Sequence, residues 1–216
     1  MLKLLILITF FYHSTAQIAV YTTCTSPKTV SLTFDDGPST LWTSQVLSLL
    51  RHNNIKATFF VIGRNLQNQN QKSLLEQTVA DGHLVGSHSY THTDVDLLTN
   101  DELLKELTDT ENAISQVVGF KPIYFRPPYG SIPSDKGEFI RSLGYKIINW
   151  NVSTRDSQSN TTVQIAYDYL ISGLRATNRG IVLMHDVQKV CYEALPLILE
   201  YLRAQSYNIV RLDECI

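Results

Sequence analysis

Five polar groups in this 216-residue chain have the types and spacing for chemistry. Asp35 and Asp36 stand side by side before Gly37-Pro38, and His88 and His92 are four apart in His88-Ser89-Tyr90-Thr91-His92. Arg126 opens Arg126-Pro127-Pro128-Tyr129-Gly130, Asp156 lies in Ser153-Thr154-Arg155-Asp156-Ser157, and His185-Asp186 closes an apolar run. Two imidazoles four residues apart can reach one ion from a single helical turn or tight loop. With the carboxylate of Asp36 they make two nitrogens and one oxygen, a three-ligand set that leaves a position open for water, as catalytic zinc sites do. Adjacent carboxylates can point different ways, so one can bind metal while the other stays free as a base.

Each group also has an ordinary structural use. Asp-Asp-Gly-Pro makes turns, two prolines stiffen a connector, and a lone His-x-x-x-His carries little information. A histidine after an apolar strand can be a satisfied core residue. What sets them apart is their placement in the predicted elements. Thr29–Phe34 alternates as a strand and ends at Asp35. Ala57–Ile62, His83–Ser87, Ile123–Phe125, Tyr145–Trp150, Gly180–Met184 and Tyr207–Leu212 read as further strands. Helical spacing occupies Thr40–His52, Lys72–Ala80, Asn100–Val118, Ser134–Leu143, Thr161–Leu174 and Tyr192–Ala204, the last with Pro196 as a kink or a late start. Strict alternation over about seven strands, without a Ser/Gly linker, calls for one α/β domain with a parallel sheet. Pattern alone leaves a barrel and an open doubly wound sheet both standing. In either, strand ends share one rim where sites are built, and the polar groups follow strands one, three, four, five and six.

Composition narrows the function. A hydrophobic share of 44% and a charged share of 18% are globular values. A net charge of −2 with no basic run speaks against nucleic acid or an anionic membrane surface and suits a neutral substrate. Lys3 followed by apolar Leu4–Phe11, too short to span a bilayer, and small residues at Ser14-Thr15-Ala16 read as a signal peptide over 1–16, with the mature domain over 17–216. No later segment reads as a membrane span. In an oxidising compartment a Cys24–Cys215 bridge would tie the ends together and stabilise by about 3–5 kcal/mol, leaving Cys191 over; alternatively all three cysteines are small buried apolar residues. Asn151-Val152-Ser153 and Asn160-Thr161-Thr162 are glycosylation acceptor triplets.

Taken together, Thr33-Phe34-Asp35-Asp36-Gly37-Pro38, His88-Ser89-Tyr90-Thr91-His92, Arg126-Pro127-Pro128-Tyr129-Gly130 and Ile181-Val182-Leu183-Met184-His185-Asp186 resemble, in order, the motifs of the polysaccharide deacetylases, the NodB-homology domain of carbohydrate esterase family four. The resemblance runs from about Val30 to Leu212. It implies a distorted (β/α) barrel and metal-dependent removal of N-acetyl groups from a sugar polymer, chitin or chitooligosaccharide first, peptidoglycan or xylan as alternatives. It implies metal ligation by Asp36, His88 and His92, with zinc or sometimes cobalt, Asp35 as base, His185 as acid, and Arg126 orienting Asp35. The Tyr129 N–H would stabilise the oxyanion, Leu183 would line the acetyl pocket, and Asp156 would support His185. The partner implied is an N-acetylated polysaccharide, met outside the cell or in the wall by a monomer. One motif departs: where the family has Asp-x-x-Asp-Trp, Ser153 replaces the first aspartate and Ser157 the tryptophan, which favours a catalytically silent carbohydrate-binding protein as the rival reading.

Overall fold

The computed structural model describes residues 19–216; the leader expected over 1–16 lies outside the described residues. The chain alternates strands and helices in the order β1 (Val20–Tyr21), β2 (Thr29–Asp35), α1 (Thr43–His52), β3 (Thr58–Val61), α2 (Gln69–Ala80), β4 (Leu84–Ser87), α3 (Asn100–Val118), β5 (Tyr124–Phe125), α4 (Ser134–Ser142), β6 (Lys146–Ile148), β7 (Val152–Ser153), α5 (Val163–Thr177), β8 (Gly180–His185), α6 (Lys189–Ala204), β9 (Asn208–Ile209) and α7 (Leu212–Cys215). The strands form one sheet in the order β1-β6-β5-β4-β3-β2-β8-β7, with β9 beside the first residues of β2. Every pairing is parallel, and β1 and β7 form the two ends of this path. The result is a half-barrel with helices around it, in one domain.

Strand periodicity decides what faces where. Val30, Leu32 and Phe34 of β2 join Val182 and Met184 of β8 in an outer core packed by α1, α5 and α6. The alternate residues belong to the barrel interior, where Phe60, Tyr124, Ile148 and Ile181 cluster with Cys24 and Cys215. Those cysteines are bonded to each other, and Cys191 is free and buried. Because β2 pairs with β8 in the register Thr33↔Leu183 and Asp35↔His185, both ends bring inward-facing residues to the same mouth.

The sequence reading placed seven strands; the two additional ones, β1 and β7, are two residues long and exist through their partners. The expected late strand Tyr207–Leu212 is confined to Asn208–Ile209, and the chain turns into α7. α6 starts at Lys189 and carries Pro196 inside it. Cys191, Ala194, Leu195, Ile198, Leu199 and Leu202 are buried along one face, and that burial outweighs the hydrogen bond and steric fit lost at a helical proline.

Candidate active site

The C-terminal ends of β2, β4, β5 and β8 and the segment after β7 converge on one cavity of about 270 Å³. Asp36 follows β2 with left-handed backbone (φ 74°), so its side chain leaves the direction of Asp35. His88 follows β4, and its Nδ1 is 2.7 Å from the Arg126 carbonyl. A carbonyl only accepts, so Nδ1 carries the proton and Nε2 presents its lone pair. That Nε2 lies 3.4 Å from Asp36 Oδ1, and His92 Nε2 lies 3.3 Å from the same oxygen. Each of the three residues offers a ligand atom within 4.8 Å of the others.

These residues fit a divalent cation. Asp36 Oδ1 is buried without a hydrogen-bond partner, an arrangement that is costly unless something positive meets it. Ligand atoms about 2.0–2.1 Å from a tetrahedral ion stand roughly 3.3 Å apart, close to the observed spacing. Burial would push Asp36 up, but the His88 and His92 imidazoles that close on it hold it well below the usual carboxylate range. The expected ligands are therefore brought together, and in an ionised form able to bind.

Asp35 faces the barrel interior, 2% exposed. Arg126, wholly buried, donates from Nη1 to Asp35 Oδ1 at 2.7 Å and to Thr33 Oγ1 at 2.7 Å. The guanidinium stacks over Phe60 at 4.2 Å, and its Nε has no partner. Ser153 makes no hydrogen bond with it; the serine hydroxyl accepts instead from the Arg155 N–H. Arg126 thus has Asp35 as its one acidic partner among the described residues.

His185 is held twice by Asp156. The carboxylate accepts from the His185 backbone N–H at 2.8 Å and pairs with Nδ1 at 2.9 Å. Burial alone would lower the imidazole, but Asp156 overrides it, with Asp35 and Asp36 adding, and pushes His185 up to about 9. A protonated His185 therefore faces the cavity at neutral pH, its Nε2 free of Asp156. Asp186 next to it packs against Gly37, where a Cβ would collide with its carboxylate, and bonds Thr43 Oγ1 at 2.5 Å; burial raises it to about 7.

The cavity walls include Pro127, Tyr129, Trp150, Ser157 and Leu183. Tyr129 is left-handed (φ 60°), 68% exposed, and meets the His92 ring edge-on at 4.8 Å. Leu183 and Tyr129 both line this cavity. The sequence marks Trp150 only as the last residue of a strand, although an aromatic at a strand end is the available signal. Thr33, although it opens one of the motifs, has no sequence signal for its bond to Arg126, being one of several β-branched strand residues. Asn151 is engaged on both sides, accepting from Ile181 N–H and donating to Arg179 O; Asn160 is exposed.

The profile of the family described as polysaccharide deacetylase matches residues 22–148. A chitin deacetylase of Colletotrichum lindemuthianum is 36% identical over 202 residues, covering 89% of this chain and 81% of that protein. Its solved structure superposes with a TM-score of 0.87 at 33% identity, over 92% and 91% of the two chains. A peptidoglycan-N-acetylglucosamine deacetylase of Listeria monocytogenes is 37% identical over 87% of this chain, which spans 38% of that protein. A family-four pseudoenzyme of Bacillus anthracis gives a TM-score of 0.84 at 26% identity, over 92% and 69% of the chains.

Proposed function

The chain belongs to the polysaccharide deacetylase family, a family of metal-dependent hydrolases of N-acetyl groups on carbohydrate, and from that premise we propose that it deacetylates chitin or chitooligosaccharides with zinc held by Asp36, His88 and His92. The observation that carries this reading is the meeting of a three-ligand cluster, an arginine-bound aspartate and an aspartate-bound histidine in one cavity. The chitin preference rests on the likeness to the fungal enzyme over most of both chains.

An amide is a poor electrophile and its amine a poor leaving group. A bound divalent cation supplies Lewis acidity, which acidifies water and polarises a carbonyl. Asp35 takes the proton from the attacking water, and the Arg126 guanidinium fixes which carboxylate oxygen does so. The Tyr129 N–H donates to the developing oxyanion, a contribution of about 3 kcal/mol when such a donor is in place beforehand. His185 gives a proton from Nε2 to the departing nitrogen while Asp156 holds the opposite face of the ring. Leu183 packs beside the acetyl methyl. The protein acts as a secreted monomer, with a leader over 1–16, on polymer outside the cell or in the wall.

Acetate release from N-acetylglucosamine oligomers, with zinc or cobalt added, tests the reading. Metal-loaded protein that binds the oligomers and releases no acetate would establish the rival, a silent carbohydrate-binding member. Ser153 and Ser157, which stand where the family pattern has an aspartate and a tryptophan, with Ser157 lining the cavity, are what favour that rival.

A further inference from the structure

The loop carrying both histidines is held in an unusual shape. Ser89 and His92 are both left-handed without being glycine (φ 62° and 66°), a conformation that persists only where surroundings impose it. Some of the restraint is local: Ser89 Oγ accepts from the His92 N–H at 3.0 Å. Some comes from the strand-β3 side, where the N–H groups of Gly63 and Arg64 donate to the carbonyls of Ser89 and Tyr90. A further restraint comes from a side chain on α3. Glu106 Oε2 accepts from the N–H groups of both Tyr90 and Thr91, at 2.8 and 2.7 Å, and its Oε1 accepts from Thr91 Oγ1 at 2.9 Å.

We infer that Glu106 is the positioning residue of the metal site: its carboxylate fixes the loop between His88 and His92 and so sets the separation of the two imidazoles. No lysine or arginine pairs with Glu106 among the described residues. Its hydrogen bonds go to the loop, where they are charge-assisted and short. The two N–H groups sit between the two imidazole-bearing residues, so losing their acceptor frees the segment that relates one ring to the other. Glu106 reaches no catalytic group itself; it acts through Tyr90 and Thr91. Groups that orient metal ligands from behind typically govern affinity by 10–100-fold. The inference rests on the reading that Asp36, His88 and His92 hold the cation.

The test is cobalt binding by the full chain, read by chelator competition and by the visible absorption of the bound ion, which reports ligand geometry. Glu106→Met keeps the length of the side chain and removes the acceptor. It is expected to weaken binding at least tenfold and to shift the cobalt spectrum. Glu106→Gln is expected to rescue both to within about threefold, because one amide oxygen can still accept from Tyr90 and Thr91. A merely structural glutamate would change melting temperature without moving the spectrum. Unaltered affinity and spectrum in Glu106→Met, alongside lost binding in His92→Ala, would overturn the inference and leave the metal reading intact. Unaltered binding in His92→Ala would overturn both. Should Glu106→Met fail to fold, amide exchange in the metal-free natural protein decides: Tyr90 and Thr91 are expected to be protected, and free exchange at both would sink the idea.

Discussion

Residues at this site are coupled in pairs, and the pairs decide what a substitution does. Asp35 and Arg126 form one: a buried carboxylate and a fully buried guanidinium with no other acidic partner among the described residues. Asp35→Asn is expected to lower kcat by at least a thousandfold in an acetate-release assay while zinc stoichiometry is retained, since the amide cannot take a proton. It should also cost stability, on the order of 3–5 kcal/mol, because a buried charge loses its counter-charge; thermal melts read that part. Turnover surviving at wild-type rate would mean that Asp35 is not the base. His185 and Asp156 form the second pair. As the acid, His185 works only while protonated, so activity should fall as pH rises through its raised value of about 9. Asp156→Asn removes the largest cause holding it up and leaves burial, which lowers it, so the alkaline limb of the kcat/KM profile should move to lower pH. The same shift links to stability. The histidine's folded value lies above its unfolded one, so the pair stabilises below the unfolded value of about 6.5 and that contribution is lost as pH rises through about 9. The stability lost in Asp156→Asn should accordingly be greater at pH 6 than at pH 10.

At the scale of elements, the long helices were legible because their signals are local. α3 starts and stops at the residues its sequence announces: a capping box joins Thr99 and Glu102, and Gly119 closes it at φ 79°. Thr99→Ala should cost about 1 kcal/mol, read as a fall in melting temperature of about 3 °C, with cobalt affinity unchanged. Leu103 and Leu107 stay anchored in the core beyond the first turn, so Glu106 between them keeps its place. An affinity loss matching that of Glu106→Met would show instead that the whole helix is loose. β1 and β7 were not legible. Val20–Tyr21 and Val152–Ser153 are strands because Ile147–Ile148 and Val182–Leu183 lie beside them, a fact about distant chain with no trace in two residues.

Over the whole molecule, the disulfide and the metal cluster occupy opposite ends of the barrel. Cys24 precedes β2 and Cys215 ends α7, 191 residues apart in sequence, whereas Asp36 and its partners follow the strands' other ends. The bridge packs in the interior cluster with Phe60 and Ile181. Replacing both cysteines by alanine should therefore lower stability by about 3–5 kcal/mol, on the order of 10 °C in melting temperature, and leave metal affinity within twofold. A large affinity loss would mean that the two ends of the barrel are mechanically coupled. Beside the bridge, the Thr25 N–H donates to the Cys215 carbonyl at 2.8 Å.

The alternation of elements, the order of the chemically capable residues and their placement just past strand ends are legible in the chain before it folds. Those are local properties, written in periodicity, caps and turn residues. Tertiary structure alone decided which groups meet. The register Asp35↔His185, the burial of Arg126 against Asp35 and the reach of Glu106 from α3 to the histidine loop are settled by pairing and packing between segments far apart in the chain. Hydrogen bonds and ion pairs act over a few ångströms, a distance that sequence separation does not measure.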